Sequence, residues 1–160
     1  MFILKAEYYL KIILLFSFIA LISAYFIEYV LDYQPCNLCL IERIPYGLTI
    51  ILIITTLVFK KNQKFFILLL ILTFIFSLAI SFYHYGIEQG FFQESSICGV
   101  RGFNENITKE DLLRQLNEKT ISCKDVTFRI FGLSLTSINI VISLIFTITL
   151  LKIFIKYEKN

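Results

Sequence analysis

Four long apolar stretches, roughly Tyr8–Ile27, Leu40–Phe59, Phe65–Tyr85 and Phe131–Leu151, leave this 160-residue sequence few folds to choose from. The hydrocarbon core of a bilayer is about 30 Å thick and takes about 20 helical residues to cross. Each stretch has that length, the second if Glu42 and Arg43 sit at its mouth. Lipid offers the backbone no water to bond to, so each stretch must satisfy its own amides and carbonyls as a helix. Composition agrees, because 58% of the residues are hydrophobic, more than a soluble domain needs. The expected fold is an all-α membrane protein, a single domain over 1–160, built as a bundle of four transmembrane helices with two outer loops at about 28–39 and 86–130. Ile22-Ser23-Ala24 faintly resembles a signal-peptide cleavage site, but the first stretch is long for a signal peptide and is read as a span.

Four spans put both termini on one side. Lys5, Lys11, Lys60, Lys61, Lys64, Lys152, Lys156 and Lys159 flank that side, only slightly more than half of the 15 basic residues. Their distribution decides more than their number. Lys60, Lys61 and Lys64 fill a very short connection, where positive charge most strongly marks the cytoplasmic face. Both termini are therefore expected in the cytoplasm and both larger loops outside. The net charge of +3, with no basic patch interleaved with exposed aromatics, excludes a nucleic-acid partner. No ring of acids or run of arginines inside a span suggests ion conduction.

Polar residues inside the spans fall in stripes. Thr73, Ser77, Ser81 and His84 share one face of the third, and Thr136, Asn139, Ser143 and Thr147 one face of the fourth. Such faces let membrane helices approach closely and hydrogen-bond to one another. In the long outer loop, Thr108 with Asp111 makes an approximate capping box, and Leu112, Leu113 and Leu116 form an apolar edge. A short amphipathic helix on the membrane surface suits 107–116, either positioning Cys98 or Cys123 or serving as an inert spacer.

All four cysteines fall in the outer loops, Cys36 and Cys39 in the first and Cys98 and Cys123 in the second. An even number confined to an oxidising face reads as disulfides. Cys36-Asn37-Leu38-Cys39 places two sulfurs close enough to open and close a small ring without large backbone motion. Cys39 lies near the start of the second helix, whose partial positive charge favours a thiolate. Arg43, four residues on, shares its face and adds a fixed cation, although an arginine there can also serve only as an interfacial anchor. A structural disulfide is the competing reading of the pair. Zinc is disfavoured, because four-cysteine sites usually supply a second short-spaced pair and Cys98 and Cys123 are far apart, so no metal is expected. A Cys98–Cys123 bond would close a loop of about 26 residues, worth a few kcal/mol as a staple. Alternatively it is an exposed, exchangeable disulfide open to a soluble partner. His84, the only histidine, sits at the outer end of the third span, where it is a packing residue, a hydrogen-bond donor to a ligand or a proton relay.

With these residues in view, the sequence resembles the disulfide bond formation protein B (DsbB) family. The likeness rests on Pro35-Cys36-x-x-Cys39-x-x-x-Arg43 opening the second span, followed by Ile44-Pro45-Tyr46. Tyr83-His84-x-Gly86-x-Glu88-x-Gly90 resembles the end of the family's third span, and Arg129-x-Phe131-Gly132-Leu133-Ser134, with Asn139 beyond, the start of its fourth. There is no tryptophan, and Gln89 and Phe128 stand where the family often has an aromatic. The resemblance implies a quinone-dependent thiol oxidase of the bacterial inner membrane, with Cys36, Cys39, Cys98 and Cys123 catalytic. It implies that a periplasmic thioredoxin-fold dithiol oxidase (DsbA-like) attacks a Cys98–Cys123 disulfide, at Cys98. Electrons then pass to Cys36–Cys39 and from Cys39 to a ubiquinone or menaquinone held near Arg43 and His84, and so to the membrane quinone pool. Two other readings remain open: a vitamin-K-epoxide-reductase-like oxidase, in which the quinone-facing Cys-x-x-Cys lies in the last span, and a non-catalytic tetraspan protein with structural disulfides.

Overall fold

The computed structural model describes residues 2–94, 98, 122–124, 129–130 and 132–158. The 107–116 segment lies outside them. Four helices are long and apolar enough to cross a membrane. They are α1 (Phe2–Tyr29), α2 (Asn37–Val58), α3 (Gln63–Glu88) and α4 (Leu135–Glu158). The lysine-bearing connection between α2 and α3 is a single 3-10 turn, Lys60–Asn62. It forces those two helices into an antiparallel pair. α3 packs against both α2 and α4, and α1 packs against α2 at the margin of the bundle.

The start of the fourth span differs from expectation. The sequence reading runs the apolar stretch from Phe131, whereas the helix begins at Leu135. Arg129–Ile130 (β1) and Leu133–Ser134 (β2) instead form a small antiparallel hairpin, pairing Arg129 with Ser134 and Ile130 with Leu133. Gly132 turns it at φ 83°, a conformation that glycine adopts without steric cost. Hydropathy counts these residues as span, but the turn chemistry takes them. The Ser134 hydroxyl then accepts from the Ser137 N–H at 3.2 Å and satisfies one of the free amides at the start of α4.

The bundle's interior changes character along its length. At the lysine end it is apolar, with Leu10 and Ile13 of α1, Leu52 and Ile53 of α2, Ile67, Leu70 and Phe74 of α3, and Leu150 of α4. In the middle the two predicted stripes meet. Ser77 and Ser143 share a hydrogen bond at 3.0 Å, and the Asn139 amide donates to Ser81 Oγ at 2.7 Å. At the outer end a second buried cluster contains Cys36, Leu38, Ile87, Cys98 and Cys123. Large apolar residues such as Phe76, Phe82, Leu144 and Ile148 remain on the outside, as a lipid-facing surface requires.

Two glycines shape the end of α3. Gly90, at φ 77°, lets the chain reverse, and the Phe91 and Phe92 amides bond back to the Gly86 carbonyl at 2.8 and 3.1 Å. Phe92 is thereby laid over α3, stacked on Tyr83 with ring centroids 5.7 Å apart. A Cβ on Gly86 would lie 2.1 Å from the Phe92 ring, so only glycine permits that approach.

Candidate functional site

Cys36 is the residue that caps α2. Its backbone is extended, at φ −72° and ψ 167°, and its sulfur accepts the Cys39 N–H at 3.2 Å. This cap turns the Cys-x-x-Cys onto the first turn of the helix and brings the two sulfurs to 2.7 Å. The third neighbour is His84, whose Nε2 lies 3.5 Å from Cys36 Sγ. Cys36, Cys39 and His84 form the one group among the described residues with the donor types of a metal site. Two thiolates on one tetrahedral zinc would stand about 3.7 Å apart, so the 2.7 Å sulfur pair suits closure to a disulfide, at about 2.05 Å, better than a metal clamp.

The second cysteine pair lies against the first. Cys98 and Cys123 are 1% and 2% exposed and share the buried cluster with Cys36 and Leu38. This differs from the exposed, exchangeable pair that is one of the two readings of the sequence: both residues are buried in a cluster that includes Ile87 and Leu38. Glu94 organises the approach. Its carboxylate accepts from the Ser122 hydroxyl and from the Lys124 N–H at 2.9 Å, fixing the turn that carries Cys123. Burial pushes the Cys123 thiol well above its ordinary range, helped by its hydrogen bond to Cys98 and the nearness of Cys36. The Cys36 thiol is also raised, first by its bond to Cys39 and then by burial, while His84 opposes both. All four thiols, free in this structure, thus meet at one end of the bundle.

Behind Cys36 runs a polar network that the sequence did not announce. His84 Nδ1 bonds to Glu42 Oε1 at 2.9 Å, and the Asn139 amide donates to Glu42 Oε2 at 3.1 Å. The Tyr46 hydroxyl donates to Asn139 Oδ1 at 2.5 Å. Thr136 donates to Glu88 Oε1 at 2.6 Å and lies 3.2 Å from His84 Nδ1. Glu42 was visible in the sequence as a residue at a helix mouth. A carboxylate inside a span is itself a functional signal, and that signal could have found it.

Beside the network, between α1, α2 and α4, is a cavity of about 340 Å³. Cys39, Glu42, Arg43, Tyr46 and Asn139 line its polar side, and Phe16, Ile19, Ile138 and Ile142 its apolar side. Arg43 reaches it as the helical spacing from Cys39 predicts. It is also tied to α1, by an ion pair with Glu28 and by lying 5.0 Å from the centre of the Tyr25 ring. Glu28 was not singled out in the sequence, since nothing local marks it as the partner of Arg43. His84, expected near a quinone, does not border this cavity; its ring stands one layer behind, between Cys36 and Glu42.

Fold and site together define a multi-pass membrane protein whose cysteine pairs are placed for dithiol–disulfide exchange. The family described as Disulfide bond formation protein DsbB matches residues 7–153, nearly the whole chain, and the chain belongs to that family. It is thereby a disulfide oxidoreductase with a role in disulfide bond formation. The chain is also 30% identical over 135 residues to "Uncharacterized protein RP370" of Rickettsia prowazekii (strain Madrid E), covering 83% of this chain and 78% of that protein. No solved structure matches it.

Proposed function

We propose that this protein is a quinone-coupled thiol oxidase of the bacterial inner membrane, which re-oxidises a soluble thioredoxin-fold dithiol protein on the periplasmic side. The observation that carries this reading is the cluster of four thiols, three buried and Cys39 partly so, abutting a cavity that Cys39 and Arg43 line. A structural staple needs one pair of sulfurs; two pairs in mutual contact form a relay.

In the working cycle a partner thiolate attacks Cys98 Sγ, the Cys98–Cys123 bond breaks and Cys123 leaves. The partner's second thiol then closes its own disulfide and releases Cys98. Cys123, packed beside Cys36, passes the two electrons to the Cys36–Cys39 disulfide by the same exchange. The residues around the cavity fit a quinone: apolar walls for the ring and chain, with Arg43, Tyr46 and Asn139 as polar partners for its oxygens. A bound quinone supplies the two-electron acceptor that restores the Cys36–Cys39 disulfide. Arg43 supplies fixed positive charge one turn from Cys39, and the apolar wall excludes water from the sulfur. The vitamin-K-epoxide-reductase-like alternative is disfavoured because α4 contains no cysteine.

The test mixes the purified protein with a reduced periplasmic thioredoxin-fold dithiol protein and either ubiquinone or menaquinone. One partner disulfide should form for each quinone reduced. A partner that stays reduced while both quinones stay oxidised would refute the reading.

A further inference from the structure

We propose that His84 and Glu42 form a proton conduit that carries the Cys36 thiol proton to the wall of the cavity. This inference rests on the functional reading above and extends it to the protons. Closing the Cys36–Cys39 dithiol to a disulfide releases two electrons and two protons. Cys39 lines the cavity, so its proton has a direct way out. Cys36 does not line it and is only 5% exposed. Its proton needs a base placed on the sulfur and a way through the protein.

The hydrogen bonds supply both. Glu42 Oε1, as a carboxylate, accepts from Nδ1–H at 2.9 Å, which leaves Nε2 as the acceptor facing Cys36 Sγ at 3.5 Å. The Cys36 proton moves to Nε2, the Nδ1 proton moves to Glu42, and Glu42 presents it at the cavity it borders. Asn139 holds the second carboxylate oxygen, at 3.1 Å, so the acid stays aimed while its charge changes. The ring is then left protonated at Nε2. Glu88 Oε1 stands 3.9 Å from Nε2 and also accepts from Thr136, whose hydroxyl reaches Nδ1 at 3.2 Å. Glu88 takes the Nε2 proton and passes one to Thr136 as the Thr136 hydroxyl gives its own to Nδ1, so Thr136 stays neutral, Glu88 returns to a carboxylate and the starting tautomer is restored. Among the described residues, the titratable groups facing His84 are Cys36, Cys39, Glu42 and Glu88, from α2 with its cap and from α3 itself, while α4 contributes only the Thr136 hydroxyl.

Glu42→Gln keeps the shape but only one of the two accepted hydrogen bonds, since an amide has one acceptor where the carboxylate has two, and it cannot carry a proton. The first readout needs no quinone. As a small-molecule disulfide closes the parent's Cys36–Cys39 dithiol, time-resolved infrared spectra should show a transient carboxyl protonation that is absent from Glu42→Gln. The second readout is quinone reduction. Glu42→Gln should lose about 100-fold in kcat with KM unchanged, and Glu42→Asp should recover part of it. A single turnover of reduced partner against the Cys98–Cys123 disulfide should be unaffected. Should Glu42→Gln fail to fold, His84→Gln is read in the same way and should show the same kcat loss. The proposal is overturned if the parent shows no redox-linked carboxyl change, or if kcat stays within threefold of the parent. It is equally overturned if KM rises in place of the fall in kcat, since Glu42 would then only hold the ligand. A parent that gives the infrared change but reduces no quinone would sink the functional reading and leave the proton path standing.

Discussion

Arg43→Ala should weaken quinone use by raising KM, and the structure gives the size. Arg43 makes an ion pair with Glu28, with the two side chains 15% and 20% exposed, and it also lies over the Tyr25 ring. A hydrogen bond to a charged group contributes about 1.5–3 kcal/mol, and partial exposure argues for the lower end. The cation over the ring adds about 0.5–1 kcal/mol. Together about 2–3 kcal/mol holds the outer end of α1 to α2, the contact that forms one wall of the cavity. Every 1.4 kcal/mol expressed in affinity is tenfold, so KM for quinone should rise by as much as about 30- to 140-fold. Glu28→Gln separates the two contributions: it removes the tether and keeps the cation, so its KM should rise less. Arg43→Lys should rescue only in part, because an ammonium cannot reproduce the planar fork. The assay is initial rate against quinone concentration at saturating reduced partner, with the single-turnover rate of partner oxidation as control. An Arg43→Ala protein with unchanged KM and kcat would show that the arginine is only an anchor.

Cys39→Ser should abolish quinone reduction while leaving partner oxidation by the Cys98–Cys123 disulfide intact for one turnover; steady-state quinone reduction by this variant would exclude Cys39 as the electron exit. Cys123→Ser should accumulate a reductant-sensitive mixed disulfide between Cys98 and the partner, visible on non-reducing electrophoresis. The absence of an adduct from both Cys98→Ser and Cys123→Ser would remove the outer pair from the relay, and an adduct only in Cys98→Ser would reverse the two roles. Gly86→Ala drives a methyl into the Phe92 ring and should cost about 1–3 kcal/mol, read as a lowered melting temperature that a further Phe92→Ala change largely restores. The raised Cys36 and Cys123 thiols should leave the reduced protein slow to alkylate at neutral pH, with rates that climb as the pH is raised; rapid labelling of both at pH 7 would contradict their burial.

The four helices were legible because lipid leaves the backbone no alternative, and the Thr73–His84 and Thr136–Thr147 stripes correctly marked the faces that pack. Local chemistry decided where hydropathy could not. The Cys36 cap starts α2 three residues ahead of Leu40, and Gly132 turns a hairpin where an apolar run suggested helix. The placement of Arg43 beside Cys39 followed from spacing within one helix. What the sequence hid were pairings between helices: Glu42 with His84, Asn139 with Glu42 and Tyr46, Glu28 with Arg43. No periodicity links residues that meet only when two spans pack. The same holds for the covering of Cys98 and Cys123, which depends on Ile87 and Leu38 from other elements.

The contrast between the two ends of the bundle bears on what the outer end is for. The lysine end packs apolar side chains around neutral polar ones, the buried Thr56 and Gln63, so the fold does not need buried charge to be specified. Yet at the outer end Glu42 is 9% exposed, His84 is 2% exposed, and Glu88 Oε2 is buried without a hydrogen-bond partner among the described residues. Burying such groups costs several kcal/mol per ion, and apolar residues of the same volume would often be neutral or stabilising. A tetraspan protein that used its cysteines only as staples would gain nothing from that arrangement. A protein that must move protons away from a buried thiol each time a disulfide closes needs titratable groups in contact with the sulfur and with one another. That is where these three side chains sit, the two carboxylates within 3.9 Å of the His84 ring and one of them on the cavity wall.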